Sequence, residues 1–243
     1  MLTTSATKYM YFGHHKCAST WILRIITAVC ENMGLRLAKY VDLTPKDIEE
    51  VDFIADTGAD VAHLETLDSR QVLGFHVIRD PRDIVVSAYF SHRYSHPLAP
   101  WLEEQRRILS EVNFEEGIRT SIDFRAKQFQ EMSNWDYENP NIFETRFETI
   151  TKSSLDEFTA IFRFLGLYPH LITQRMLAEI VDYNNYRRLS EGREYGVENV
   201  HHHYRKGISG DWVNCFSKRN KDYFKQRYGS MLIYLGYEPD LDW

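Results

Sequence analysis

The chain has 243 residues, 43% hydrophobic and 26% charged, ordinary globular values that exclude a disordered or fibrous protein. Its formal net charge of −6 leaves no basic excess to neutralise a polyphosphate backbone, which excludes general nucleic-acid binding but permits a local basic site for one nucleotide. Cys17, Cys30 and Cys215 are an odd set without paired spacing, which fits a reducing compartment better than a disulfide framework.

The chain begins with Met1 to Thr7, which lacks the charged start and apolar core of a signal peptide. Lys8-Tyr9-Met10-Tyr11-Phe12 is an aromatic run of the kind that forms a buried strand. Trp21, Ile22, Ile25, Ile26, Val29 and Met33 recur at helical spacing, so a helix should open at Ser19 or Thr20 and stop near Gly34. The longest apolar run, Trp21 to Val29, is interrupted by Arg24 and is too short to span a bilayer, so a soluble, cytoplasmic protein is expected. A short extended piece is expected over 35–40, then a helix start at Thr44-Pro45-Lys46-Asp47 with proline in the first helical position. Within 52–67, Gly58 is a break and Asp60-Val61-Ala62-His63-Leu64 reads as a strand end.

Residues 71–78 form the next buried-strand pattern, with Arg79-Asp80-Pro81-Arg82-Asp83 as its exit loop and a helix from Ile84 to about Tyr94. Helices are predicted over 100–111 and 114–135, and a third strand over 141–148 after Asn139-Pro140. Further helices are predicted over 154–165, stopped by Gly166, then from Pro169 to about Asp182, and finally from about Ser217 to Leu235. The polar, glycine-containing stretch from Asn184 to Asp211 reads as one long loop, a length that usually signals function or disorder. No repeat or linker divides the chain, so residues 1–243 are expected to form one α/β domain. Its core should be a mainly parallel sheet flanked by helices.

Three segments carry chemistry. In Gly13-His14-His15-Lys16-Cys17-Ala18-Ser19-Thr20-Trp21 a strand runs through a short loop into a helix N-terminus, so backbone N–H groups and the positive end of the helix dipole converge. Lys16 adds a full charge, and Ser19 and Thr20 add hydroxyl donors, making a cradle for phosphate or sulfate. A Walker A loop needs glycine before its lysine and Ser or Thr after it; here His15 and Cys17 hold those positions. The competing reading is a plain strand-to-helix turn with an exposed lysine. The second segment repeats the design: Arg79 offers a fork of donors at a strand end, and Ser87 follows eight residues on. A structural ion pair of Arg79 or Arg82 with Asp80 or Asp83 is its alternative. The third is Tyr204-Arg205-Lys206-Gly207-Ile208-Ser209-Gly210-Asp211-Trp212, where adjacent cations precede a glycine that lets backbone approach an anion.

Together, in this order and spacing, the three segments resemble the soluble sulfotransferases that use 3′-phosphoadenosine 5′-phosphosulfate (PAPS). The family loop reads roughly Lys-Ser-Gly-Thr-Thr-Trp, so Cys17 and Ala18 replace its Ser and Gly. The resemblance implies a P-loop-like fold and a 5′-phosphosulfate site at His15, Lys16, Cys17, Ala18, Ser19 and Thr20, with Trp21 near the adenine. It implies that Arg79 and Ser87 bind the 3′-phosphate and that Arg205, Lys206 and Gly207 close the nucleotide site. Phe147-Glu148 stands where the family has an adenine-side Tyr-Glu pair. The implied reaction moves a sulfuryl group to a hydroxyl or amine of a small-molecule acceptor without a metal. Lys16 would stabilise the leaving group, and His63 of Ala62-His63-Leu64 would serve as base. Glu65, His14 and His15 are rivals for that role.

His201-His202-His203 and the His92/His96 pair lack the accompanying ligands of a metal site. The family's dimer motif is not visible over 214–227, so no homodimer carries over. A P-loop kinase-like enzyme or a non-catalytic nucleotide-binding protein is the alternative class; a kinase would require ATP, Mg²⁺ and a Walker B carboxylate, for which no strand supplies the context.

Overall fold

The computed structural model of the chain describes residues 7–65 and 72–243. The leader expectation over 1–6, Thr66 and Leu67 of the mixed stretch, and Gln71 of the second predicted strand lie outside the described residues. The chain clusters into two compact units, Met1–Ile78 with Asn134–Asn185, and Arg79–Ser133 with Tyr186–Trp243.

The first unit is built on five parallel strands: β1 (Lys8–Gly13), β2 (Leu37–Lys39), β3 (Phe53–Asp56), β4 (Val72–Ile78) and β5 (Ile142–Arg146), in the order β2-β3-β1-β4-β5. The order reverses around β1, and open parallel sheets bind ligands outside the carboxyl ends of the strands at such a reversal. Both faces are covered, as a parallel sheet requires. Tyr11, Phe53, Ala55, Phe75 and Val77 pack on α1 (Ser19–Met33) through Ile22, Ile25, Ile26 and Val29, together with residues of the later helices. Met10, Phe12, Ile54 and Ile142 pack on the other face with Trp135. In register, Phe12 pairs with Asp56 and His76, and His76 pairs with Glu144. Paired residues of a parallel sheet share a face. Three polar side chains therefore stand in one row of an otherwise apolar surface.

Helix α1 begins at Ser19 and ends at Gly34, whose φ of 68° supplies the left-handed cap. Thr44 and Asp47 form a capping box on α2 (Pro45–Ile48), where proline predicted a start. The expected strand end at 60–64 is instead α3 (Val61–Glu65): Asp60 Oδ1 accepts the Ala62 N–H at 3.0 Å, a local bond that favours a turn over extension. The strand of this region is β3, upstream. The third predicted strand stops at Arg146, and Phe147 opens α8 (Phe147–Lys152). Helix α9 (Ser154–Phe164) lies where the period placed it. Helix α10 (Gln174–Tyr183) starts later than Pro169, because Thr173 caps it by accepting the Met176 N–H at 3.2 Å.

The second unit is helical. Helix α4 (Pro81–Phe90) is capped by Asp80, which accepts the Arg82 N–H, and continues into a wider turn over Ser91–Ser95. Helix α5 (Pro100–Glu111) matches its predicted bounds. The single helix expected over 114–135 is two, α6 (Phe114–Asp123) and α7 (Ala126–Asn134), broken at Phe124 and Arg125. The long loop holds one turn of helix, α11 (Tyr186–Leu189), and is followed by α12 (Trp212–Cys215) and α13 (Lys218–Tyr234). Ser217 caps α13 by accepting the Asn220 N–H. Leu102, Leu109, Ile118, Ile122, Phe129, Phe224 and Leu232 are fully or almost fully buried. Phe129 meets Phe224 edge-on at 5.9 Å.

Candidate anion site and its supporting residues

In the first unit, residues 14–18 connect β1 to α1. Lys16 and Ala18 both adopt left-handed backbone, with φ of 69° and 66°. Left-handed residues in a turn leading to a helix N-terminus make an anion-binding concavity. Ala18 is the N-cap and has no oxygen to spend on the helix N–H groups, so those donors are not consumed by a capping side chain. The His14 carbonyl closes the loop by accepting the Cys17 N–H and the Ser19 hydroxyl, each at 3.1 Å. Tyr11 donates its hydroxyl to Ser19 Oγ at 3.2 Å. A Cβ on Gly13 would lie 2.1 Å from the Tyr11 hydroxyl oxygen, so glycine is required there.

Lys16 is half-buried, Cys17 is buried and Thr20 is exposed. Trp21 donates its indole N–H to the Asn184 carbonyl at 2.8 Å and meets Phe158 edge-on, which makes it a core-anchored ring at the start of α1. His63 Nδ1 lies 2.8 Å from Asp56 Oδ2, and its ring stacks on Tyr40 at 4.1 Å. Asp56 is buried and accepts the Gly58 N–H through its other oxygen. Since a carboxylate only accepts, His63 carries its proton on Nδ1. Phe147 lies at the carboxyl end of β5, half-buried at the start of α8. His15, Lys16, Cys17, Ala18, Ser19, Thr20, Trp21, His63 and Phe147 all lie in the first unit.

In the second unit, Arg79 pairs with Asp83, and Arg205 and Lys206 share Asp211. Arg82 plays a structural part. It pairs with both oxygens of Asp80 and with Glu238, and its guanidinium lies 3.8 Å from the Trp212 ring centre and 4.6 Å from that of Trp243. Arg79 lies 3.8 Å from Asp83. Asp83 accepts the Gly210 N–H at 2.6 Å and the Trp212 N–H at 3.0 Å, tying the C-terminal loop to the start of α4. Burial pushes the Asp83 carboxyl up, against the opposing pull of Arg79 and the loop N–H groups. Ser87 is half-buried on α4.

Asp211 receives Arg205 and Lys206, each at 2.6 Å, and Asn214 at 3.1 Å. Burial raises its pKa, but those three hydrogen bonds prevail and hold it at about 2. Arg205 also pairs with Glu198 and lies over the Phe90 ring at 4.3 Å. Gly207 has a φ of 68°, and a Cβ there would lie 2.5 Å from the Tyr186 ring. Arg193 donates to the carbonyls of Ser190, Val197, Tyr204 and Arg205, clamping the loop from inside.

Sequence reading missed Asp56, Arg193, the buried His76 and the half-buried Glu144. Asp56 had one visible signal, an acid closing the apolar triplet Phe53-Ile54-Ala55. Among the described residues no His, Cys, Asp and Glu cluster could hold a metal ion. No helix among them is long and apolar enough to cross a membrane.

The family profile described as "Sulfotransferase domain" matches residues 7–234. A search of curated protein sequences finds no match. Among solved structures, the chain is similar to mouse sulfotransferase SULT7A1 complexed with PAP, with a TM-score of 0.59, 14% identity, and coverage of 93% of this chain and 84% of that one. It is similar also to retinol dehydratase in complex with androsterone and inactive cofactor PAP, with a TM-score of 0.56, 14% identity, and coverage of 92% and 82%. A second retinol dehydratase structure, with retinol and PAP, gives a TM-score of 0.56 at 14% identity, covering 93% and 82%.

Proposed function

This chain belongs to the sulfotransferase family, and we propose that it transfers the sulfuryl group of PAPS to a hydroxyl or amine of a small-molecule acceptor. The observation that carries this reading is the loop before α1, where left-handed Lys16 and Ala18 shape a cradle whose charged member is the lysine. The PAP in the similar structures supports the choice of donor, and retinol and androsterone in two of them support a small-molecule acceptor.

In this reading the loop N–H groups, Ser19 and Thr20 hold the 5′ end of the nucleotide. Lys16 stabilises charge that develops on the bridging oxygen as the nucleotide leaves. Arg79, Ser87, Arg205, Lys206 and Gly207 read the 3′-phosphate, and Trp21 and Phe147 flank the adenine. The acceptor proton passes to Nε2 of His63 while a bond forms from the acceptor to sulfur and the bond from sulfur to the nucleotide oxygen breaks. By analogy with phosphoryl transfer, positioning and charge stabilisation supply most of the acceleration. A cytoplasmic location is part of the same proposal, supported by the unpaired spacing of the cysteines.

Ligand stabilisation of the fold separates this reading from a kinase. PAP should raise the melting temperature and ATP with Mg²⁺ should not; the opposite pattern would sink the proposal. Incubation with labelled PAPS and panels of phenols, alcohols, amines and glycans then identifies the acceptor class.

A further inference from the structure

Behind the anion loop lies a file of polar groups, two buried histidines and a half-buried glutamate, that the reaction above does not use. His14 Nε2 lies 3.0 Å from His76 Nε2, and His76 Nδ1 lies 2.7 Å from Glu144 Oε2. Trp135 donates its indole N–H to Glu144 Oε1 at 2.8 Å, and its ring lies 4.2 Å from the His76 ring. His14 is 1% exposed and His76 is fully buried. His14 Nδ1 is buried and has no hydrogen-bond partner among the described residues. That open nitrogen belongs to the first residue of the loop, whose carbonyl also closes it.

We propose that His14, His76 and Glu144 form a tautomer relay that sets whether the first residue of the anion loop presents a hydrogen-bond donor or an acceptor. The proposal rests on the reading of that loop as the nucleotide's anion cradle. With Glu144 ionised, its Oε2 accepts the His76 Nδ1–H, His76 Nε2 accepts the His14 Nε2–H, and His14 Nδ1 is a bare lone pair. With Glu144 protonated, its O–H donates to His76 Nδ1, the His76 Nε2–H donates to His14 Nε2, and His14 Nδ1 carries a proton. The second state holds one proton more, added at Glu144, and both imidazoles stay neutral in each.

The surroundings suit this switch. Burial pushes Glu144 up to about 8, with Asp136 adding to the rise and the Trp135 hydrogen bond opposing it. Burial lowers His76 to about 3 against the pull of Asp56, and also lowers His14, with the help of His76, well below the usual imidazole range, so neither ring becomes a cation near neutrality. The Tyr137 ring, 5.8 Å from that of His76, is a further titratable group facing the file. An anion in the loop favours the donor form of His14. Nucleotide binding therefore takes up a proton near pH 8, and affinity falls as pH rises above it. These are positioning residues, and none of them touches the reacting atoms.

Glu144→Gln freezes the relay. Trp135 requires an oxygen opposite its N–H, which turns the amide nitrogen of the variant toward His76 and imposes the donor state on His14. Nitrogen-15 spectra of the imidazoles in the ligand-free protein, from pH 6.5 to 9.5, should show His14 and His76 exchanging tautomers with a midpoint near 8. In the variant, His14 should stay protonated at Nδ1 throughout. Calorimetry with PAP should show proton uptake and about tenfold weaker binding at pH 9.5 than at pH 7 in the wild type, since one lost charge-assisted hydrogen bond is worth at least that factor, and neither effect in the variant. Imidazole signals that do not change with pH, or a variant that titrates like the wild type, would overturn the relay, as would identical pH dependence of PAP binding in both proteins. If PAP fails to bind at any pH, the reading of the loop is wrong, and the ligand-free spectra still decide the relay.

Discussion

His63 and Asp56, seven residues apart, are joined by a hydrogen bond of 2.8 Å from imidazole Nδ1 to a buried carboxylate. Asp56 pairs in register with Phe12, two residues before the anion loop begins. The orienting acid is therefore fixed by the sheet rather than by the short helix that carries the histidine. His63→Ala should lower kcat by roughly 10²–10⁴-fold with donor affinity nearly unchanged, and should remove the acidic limb of the pH–rate profile. Asp56→Asn should lower kcat on the order of 10²-fold by favouring the wrong tautomer. Acceptors already ionised at the assay pH should be much less affected. If His63→Ala keeps wild-type rates and a change at Glu65, His14 or His15 removes the limb, the base has been misassigned.

Lys16→Ala should abolish turnover at saturating donor while leaving the melting temperature near that of the wild type. In the proposed reaction the lysine charge acts on the leaving group, and alanine keeps the same Cβ in the left-handed position. Wild-type kcat in this variant would remove Lys16 from the chemistry.

Arg79→Ala and Arg205→Ala should each weaken binding of a 3′-phosphorylated nucleotide by about 1.5–3 kcal/mol, the range for charge-assisted hydrogen bonds. The loss for the 3′-dephospho analogue should be much smaller. Calorimetry giving equal losses for both nucleotides would show that neither residue reads that phosphate. Arg205 is already held by Asp211 and Glu198. Its variant should therefore also loosen the loop, seen as faster proteolysis between 190 and 210.

Ala18→Gly should stabilise the protein by about 1 kcal/mol, because a Cβ at a φ of 66° carries a steric cost that glycine avoids. Gly34→Ala is the mirror case. Its φ is 68° with nothing within 4 Å of the added Cβ, so the loss, again about 1 kcal/mol, is purely conformational. Denaturant midpoints moving the same way for both substitutions would contradict the argument.

Asp211→Asn should change the acid dependence of stability. The folded carboxyl titrates at about 2, against 3.8 for the reference value. A depressed carboxyl contributes stability that is complete above the unfolded value and is lost as pH falls through the folded one. The wild type should therefore lose more stability than the variant between about pH 5 and pH 2. Parallel curves over that window would mean that Arg205 and Lys206 gain nothing from Asp211.

Much of this molecule was legible because its signals are local. Glycine at 34 stops α1, Thr44-Pro45 starts α2, and the order of strand, loop and helix around Lys16 follows from side-chain period and capping chemistry within about twenty residues. The Arg79 and Arg205 segments were readable for the same reason, as short runs whose residue types already suggest an anion. Strand β3 was not readable. Four residues, Phe-Ile-Ala-Asp, make too short a pattern, and they are extended because β1 and β2 flank them with parallel hydrogen bonds. The sheet register alone decided that His76 and Glu144, 68 residues apart, share a face and meet at 2.7 Å. Desolvation in that arrangement pushes the Glu144 carboxyl up and the two imidazoles down: the cost of desolvating a charge is a property of the packed environment, not of the residue.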